Sequence, residues 1–201
     1  VGDASSSLTI VSSLIGANSA TENGGGVYTA ETVANQFHLN VTGTVLDSNS
    51  AGTSGGGICS NGDGAVTLTG DTLVANSGAD GAGGASLTST AAMKLIGTNF
   101  VANTSTDGDG GLTVSGSGHL SITGGKFTLN HGTLSGGIDL QSGVAGTVTG
   151  VTVTNNVSDG DIFGAGGVNA TDTVTVLAST ITGNVNVGEP GKANTYGGFK
   201  T

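Results

Sequence analysis

Apolar and polar residues alternate in this chain in short stretches, as in Val66-Thr67-Leu68-Thr69 and Leu120-Ser121-Ile122-Thr123. A period of two puts successive side chains on opposite faces of an extended strand, and no stretch keeps a 3.6-residue period long enough for a stable helix. The stretches also recur in register. An asparagine column, Asn18, Asn49, Asn76, Asn103, Asn130, Asn156 and Asn184, runs at spacings of 31, 27, 27, 27, 26 and 28 residues. Three residues before each asparagine stands a large apolar side chain: Ile15, Leu46, Leu73, Phe100, Phe127, Val153 and Ile181. Eight before lie Ile10, Val41, Leu68, Leu95, Ile122, Val148 and Val176, and ten before a similar column fails only at Gly146. Six before stands a small residue: Ser12, Gly43, Gly70, Gly97, Gly124, Gly150 and Ala178. After each asparagine a polar loop leads to a Gly-Gly pair and an apolar residue, from Gly25-Gly26-Val27 to Gly197-Gly198-Phe199.

Each stretch repeats its own kind one unit later and does not pair with its sequence neighbour, which disfavours hairpins. The economical solution is an all-β fold, a right-handed parallel β-helix solenoid of about seven coils. Each coil has three short strands and about 27–31 residues, and residues 1–201 form a single β-helix domain. Seven coils at the ~4.8 Å interstrand spacing give a rod of roughly 34 Å. The apolar columns are predicted to fill the core. The small column and the Gly-Gly pairs are predicted to serve corners, where positive φ or close backbone approach is needed. The asparagine column is predicted to form an amide ladder, its members tolerating left-handed geometry at a corner. The loops after the asparagines expand in residues 158–165 and 189–196, the edge where a solenoid's specific contacts usually lie.

The paired elements apolar-x-x-Asn and Gly-Gly-apolar resemble the repeat of the chlamydial polymorphic outer-membrane proteins, described by Phe-x-x-Asn and Gly-Gly-Ala-(Ile/Leu/Val). Phe100-Val101-Ala102-Asn103 and Phe127-Thr128-Leu129-Asn130 match the first motif, and Gly83-Gly84-Ala85 approximates the second. The stretch from Val174 to Asn184 is similar to units of large bacterial surface β-helix proteins. The resemblance covers nearly the whole chain and implies an exported passenger of the autotransporter adhesin kind, extracellular or on the cell surface. It carries over no binding residue, because the shared motifs are structural.

Composition narrows the functions. Hydrophobic residues at 35%, set in fixed columns, argue against a disordered linker despite 40 glycines. Four lysines, no arginine and fourteen carboxylates give a formal charge of −10, which excludes a basic nucleic-acid face. A single cysteine excludes a disulfide scaffold, and no run of 18 apolar residues is available to span a membrane. Cys59, one residue after a core position, is expected to point outward as a free thiol.

Candidate chemistry is sparse, and the chain reads as a non-enzyme. β-Helix enzymes acting on polysaccharides resemble pectate lyases or polygalacturonases and use arginine, which is absent here. Asp107 with Asp109, or Asp159 with Asp161, meets the separation of a glycosidase pair but sits among loop glycines. His38 and His119 share a column three coils apart, roughly 14 Å, too far for a shared zinc ion, and His131 lies at another corner. Asp80 and Asp107 both lie four residues after their asparagines in adjacent coils, and Asp109 adds a third carboxylate. Hard oxygen ligands of this kind suit calcium, the alternative being a solvated acidic loop, and no other cofactor is expected. Thr67 with Thr69 and Thr147 with Thr149 form Thr-x-Thr pairs of the kind ice-binding solenoids display, interrupted by Lys94 and Ile96. The sequon Asn40-Val41-Thr42 follows from the abundance of Asn and Thr.

The expected role is an extracellular structural or adhesive module contacting surface glycans or a host-cell surface. A filament subunit stacking coil on coil, a polysaccharide-active enzyme and an ice-binding solenoid are the alternatives. Residues 1–8 read as the linker that follows a Gly-Gly strand, and residues 197–201 as the start of such a strand. This predicts a segment of a longer solenoid or end-to-end self-association.

Overall fold

The structure, a computed structural model, describes residues 6–31, 37–160, 164–188 and 196–201. Asp161 and the middles of both expanded loops lie outside the described residues. The first coil contains β1 (Ser6–Val11), β2 (Leu14–Gly16), β3 (Ser19–Ala20) and β4 (Val27–Glu31). Each strand starts a seven-stranded parallel sheet, in which every member pairs with its equivalent in the coil before and after. The chain is therefore a parallel β-solenoid of seven coils.

Each coil has four strands, where the periodicity predicts three. The additional strand is the two-residue one that directly follows the asparagine, as in Ser19–Ala20, Ser50–Ala51 and Ser77–Gly78. Two residues cannot display an alternation, so this strand reads as the start of the polar loop. Pairing with its equivalents makes it a strand, with Ser50 opposite both Ser19 and Ser77.

Inward-facing residues form the predicted stacks. Leu39, Leu68, Leu95 and Leu120 from the first sheet, Leu46, Leu73, Phe100 and Phe127 from the second, and Ile58, Leu112 and Ile138 from the fourth are all at most 1% exposed. Burying each such side chain contributes roughly 1.5–3 kcal/mol. Phe100 and Phe127 lie in adjacent coils with ring centroids 4.6 Å apart and planes 7° from parallel. The in-register stacking of equivalent positions imposes that geometry.

The corners separate two devices that the sequence leaves joined. All seven residues of the small column have positive φ, from Ala178 at 46° to Gly124 and Gly150 at 65°. The Gly-Gly pairs instead serve close approach, since a Cβ on Gly57 would lie 2.7 Å from the Gly84 carbonyl oxygen. A second left-handed column is not signalled by glycine. It occupies the residue before each ladder asparagine: Ala17, Ser48, Ala75, Ala102, Leu129, Asn155 and Gly183, at φ of 51–66°. The left-handed residue is thus the neighbour of the ladder asparagine, not the asparagine itself. A left-handed residue bearing a Cβ costs roughly 1–2 kcal/mol.

Leu129 is 59% exposed, so its side chain offsets little of that cost. Leu129→Gly is expected to raise stability by about 0.5–1 kcal/mol, once the added chain entropy of glycine is subtracted. Chemical denaturation of the two proteins measures it.

Candidate functional site

Two polar assemblies are built on this frame. The first is the asparagine column, which forms a continuous ladder through all seven coils. The Asn103 backbone N–H and Nδ2 both donate to Asn130 Oδ1, at 3.0 and 2.9 Å, and Nδ2 also donates to the Leu73 carbonyl at 2.9 Å. Asn103 Oδ1 in turn accepts from the Asn76 backbone N–H and Nδ2, both at 3.0 Å. The same pattern runs from Asn18 to Asn184. Each interior amide thus uses both donors and takes two bonds on its oxygen. The second glycine of each pair covers the next rung: a Cβ on Gly57 would stand 3.2 Å from the Asn76 amide carbon. Asn76, Asn103, Asn130 and Asn156 are fully buried as a result.

The second assembly lies on the outer face of the fourth sheet. The register aligns Tyr28, Cys59, Ser86, Thr113, Asp139, Asn169 and Lys200 in one outward column. An outward column should be wet, yet Cys59, Thr113, Asp139 and Asn169 are all buried. The loop that follows each asparagine turns back toward this face. Asp109, in one such loop, accepts a 2.5 Å hydrogen bond on Oδ2 from Thr113 Oγ1 and a 2.9 Å bond on Oδ1 from the Ser135 backbone N–H. Asp139 stands one strand from Thr113 and accepts a 2.6 Å bond from Asn169 Nδ2. Asp109 and Asp139 are 2% and 6% exposed. Burial, and then the neighbouring Asp139 charge, push the Asp109 carboxyl up to about 8, against its bonds from Thr113 and Ser135. Burial also raises Asp139, opposed by bonds from Asn169 and Gln141 and by the charge of Lys200. Ser135 Oγ is buried beside the Asp109 carboxyl, and Asn169 Oδ1 is buried without a hydrogen-bond partner.

The structure separates the predicted calcium carboxylates. Asp80 and Asp107 are exposed whereas Asp109 is buried, and no three acidic, histidine or cysteine side chains are grouped to hold a metal among the described residues. Spacing alone misses this because Asp109, two residues from Asp107, turns inward. The same split parts the Asp107–Asp109 glycosidase pair. Cys59 faces outward in register but is 4% exposed, and burial pushes its thiol up to about 11, so it is neutral at physiological pH. His131 bonds Asp159 across one coil at 2.6 Å, on the exposed edge.

Sequence reasoning misses Asp139. Its signal is a carboxylate between two core residues, Ile138 and Leu140, in a column with Thr113 and Asn169. A period of two assigns that position to solvent, and only the returning loop makes it buried. Compared with models of protein families, with curated proteins and with solved structures, the chain matches none.

Two outcomes follow from these geometries. Asn103→Ala strands the Asn76 donors and the Leu73 carbonyl, at about 1–3 kcal/mol per unsatisfied group, so its melting temperature falls well below that of Asn40→Ala. Asp109 has a folded-state pKa above its unfolded value, so its contribution is full below pH ~4 and is lost as pH rises through ~8. Thermal unfolding in metal-free buffer should therefore show stability falling over that window by up to about 1.4 kcal/mol per pH unit, and Asp109→Asn should flatten the slope.

Proposed function

We propose that this chain is a rigid structural module of an extracellular or cell-surface protein, a spacer whose outer sheets and loop edge make adhesive contacts. The observation that carries the reading is the unbroken ladder. Seven coils share one register in four sheets, so the molecule's length scales with coil number. The surface it presents is largely uncharged: Thr67 and Thr69 align with Asn40 and Thr42 on one outer face, and Thr152 and Thr154 on the next align with Lys126 and Thr128. Such hydroxyl and amide columns suit glycan contact. The resemblance of the apolar-x-x-Asn and Gly-Gly-apolar elements to chlamydial surface-protein repeats supports export. The burial of Asp109 and Asp139 favours this reading over a glycosidase, because a carboxyl 2% exposed is screened from a polysaccharide.

A second reading, end-to-end stacking, draws on the ladder's polarity. Among the described residues the Asn18 amide oxygen has no rung donating to it and the Asn184 backbone N–H has no rung to accept it. A further coil would supply both.

Antibodies against the chain should label intact, unpermeabilised producing cells, and the purified protein should bind a subset of glycans on an array. Labelling confined to lysed cells would overturn the surface role, and a blank array the adhesive one. Sedimentation velocity over rising concentration tests stacking, which requires growing, rod-like species; a strict monomer contradicts it.

A further inference from the structure

The outward column of the fourth sheet places an acid, an amide and an amine in three consecutive coils: Asp139, Asn169 and Lys200. Asn169 is the register partner of both others, so its amide stands between them, one ~4.8 Å strand spacing from each. The contacts follow the register. Asn169 meets the Asp139 carboxyl at 2.6 Å, and the Lys200 charge acts on Asp139 across the intervening amide. Lys200 is half-buried, with Nζ 5.9 Å from the centroid of the Tyr196 ring. A four-carbon lysine stem spans one strand spacing, so rotation about its side-chain bonds brings Nζ onto the Asn169 amide carbon.

An independent observation marks Asn169 itself. It is 8% exposed and its Oδ1 has no hydrogen-bond partner, whereas buried polar atoms are nearly always satisfied. Its contact with Asp139 is also shorter than the usual N–H···O bond of roughly 2.7–3.2 Å and fits an O–H···O bond. A half-turn of the amide resolves both: Oδ1 accepts from a protonated Asp139, which polarises the carbonyl and opens its carbon to a nucleophile. Burial raises the Asp139 carboxyl and so keeps a proton available there.

We propose that Lys200 and Asn169 join through an intramolecular amide bond, with Asp139 as the catalytic proton carrier. The ammonium first gives a proton to the Asp139 carboxylate, which exchanges a buried ion pair for two neutral groups. The Nζ lone pair then bonds to Asn169 Cγ, the carbonyl pair moves to Oδ1, and Oδ1 takes the proton from Asp139. Asp139 next carries one proton from Nζ to Nδ2. The carbonyl re-forms, its proton returns to Asp139, and the Cγ–Nδ2 bond breaks to release ammonia. Nothing is oxidised or reduced, and no co-reactant enters. The new bond clamps the two-residue strand Phe199–Lys200 onto Val168–Ala170 of the preceding coil.

Intact-mass spectrometry of the folded 201-residue chain at neutral pH tests this. The mass should fall below that of the sequence by one ammonia. Trypsin, cutting after Lys126 and Lys192, should release residues 127–192 and 193–201 as one linked species. Lys200→Arg and Asn169→Ala should each abolish the link. Asp139→Asn should cut the linked fraction at least tenfold, while circular dichroism stays that of the unaltered protein. Lys126→Arg should leave the link intact. Ring closure at Asn23-Gly24 or Asn61-Gly62 gives the same mass loss, but links no peptides and persists in Lys200→Arg. Three outcomes overturn the proposal: full mass in the folded, unaltered chain; a mass loss that survives Lys200→Arg; or a link undiminished in Asp139→Asn.

Discussion

The structure depends on one repeated interaction: an asparagine side chain placed so that its amide oxygen accepts two bonds from the preceding rung and its nitrogen reaches a carbonyl of the preceding coil. A solenoid must hold identical coils in register against a one-residue slip, which would turn every inward side chain outward. Apolar alternation opposes that slip but not a slip of two residues, which keeps every inward side chain inward, because Leu on Leu packs nearly as well as Leu on Val. The ladder does choose the register. Each rung has a donor set and an acceptor that fit only the equivalent residue one coil away, and slippage would strand buried amides at about 1–3 kcal/mol for each group. Two other columns exist to make the rung possible. A left-handed residue, such as Ala102 before Asn103, turns the chain so that backbone N–H and side chain point along the axis together. The second glycine of the pair, such as Gly84 over Asn103, lets the adjoining backbone close over the amide and exclude water.

That coupling explains which parts of the molecule are legible in the sequence. The asparagine column is visible because the ladder needs that side-chain amide, the Gly-Gly pairs because close backbone approach leaves no room for a Cβ, and the small column because glycine fills five of its seven positive-φ positions. The core columns are visible because alternation survives in strands of three or more residues. The two-residue strand after each asparagine is invisible for the converse reason, having no room to alternate. The left-handed column before the asparagine is hidden by its variety: Ala, Ser, Leu, Asn and Gly all occupy it, so strain there is tolerated and not avoided by composition.

The acidic face shows the complementary limit. Spacing groups Asp109 with Asp80 and Asp107, yet it belongs with Asp139, thirty residues on, which alternation places in solvent. Spacing within a loop does not tell which of two nearby carboxylates turns inward. That depends on Thr113 and on the Ser135 backbone N–H, contributed by the same coil's strand and by the next coil's loop. Sites on a solenoid are assembled across coils, so the relevant neighbours are one repeat away in sequence. Aligning the repeats and reading down each column, not along the chain, is what brings Thr113, Asp139 and Asn169 together.

Amide hydrogen exchange tests the ladder most directly, because it reads each rung in the unmodified protein. The backbone N–H and side-chain Nδ2 protons of Asn76, Asn103 and Asn130 should exchange only through global unfolding, as slowly as the core strand amides of Leu68 and Leu95. If those asparagine protons exchange as fast as the exposed loop amides of Asp80 and Asp107 while the core strands stay protected, the coils are held by apolar stacking alone and the ladder does not set the register.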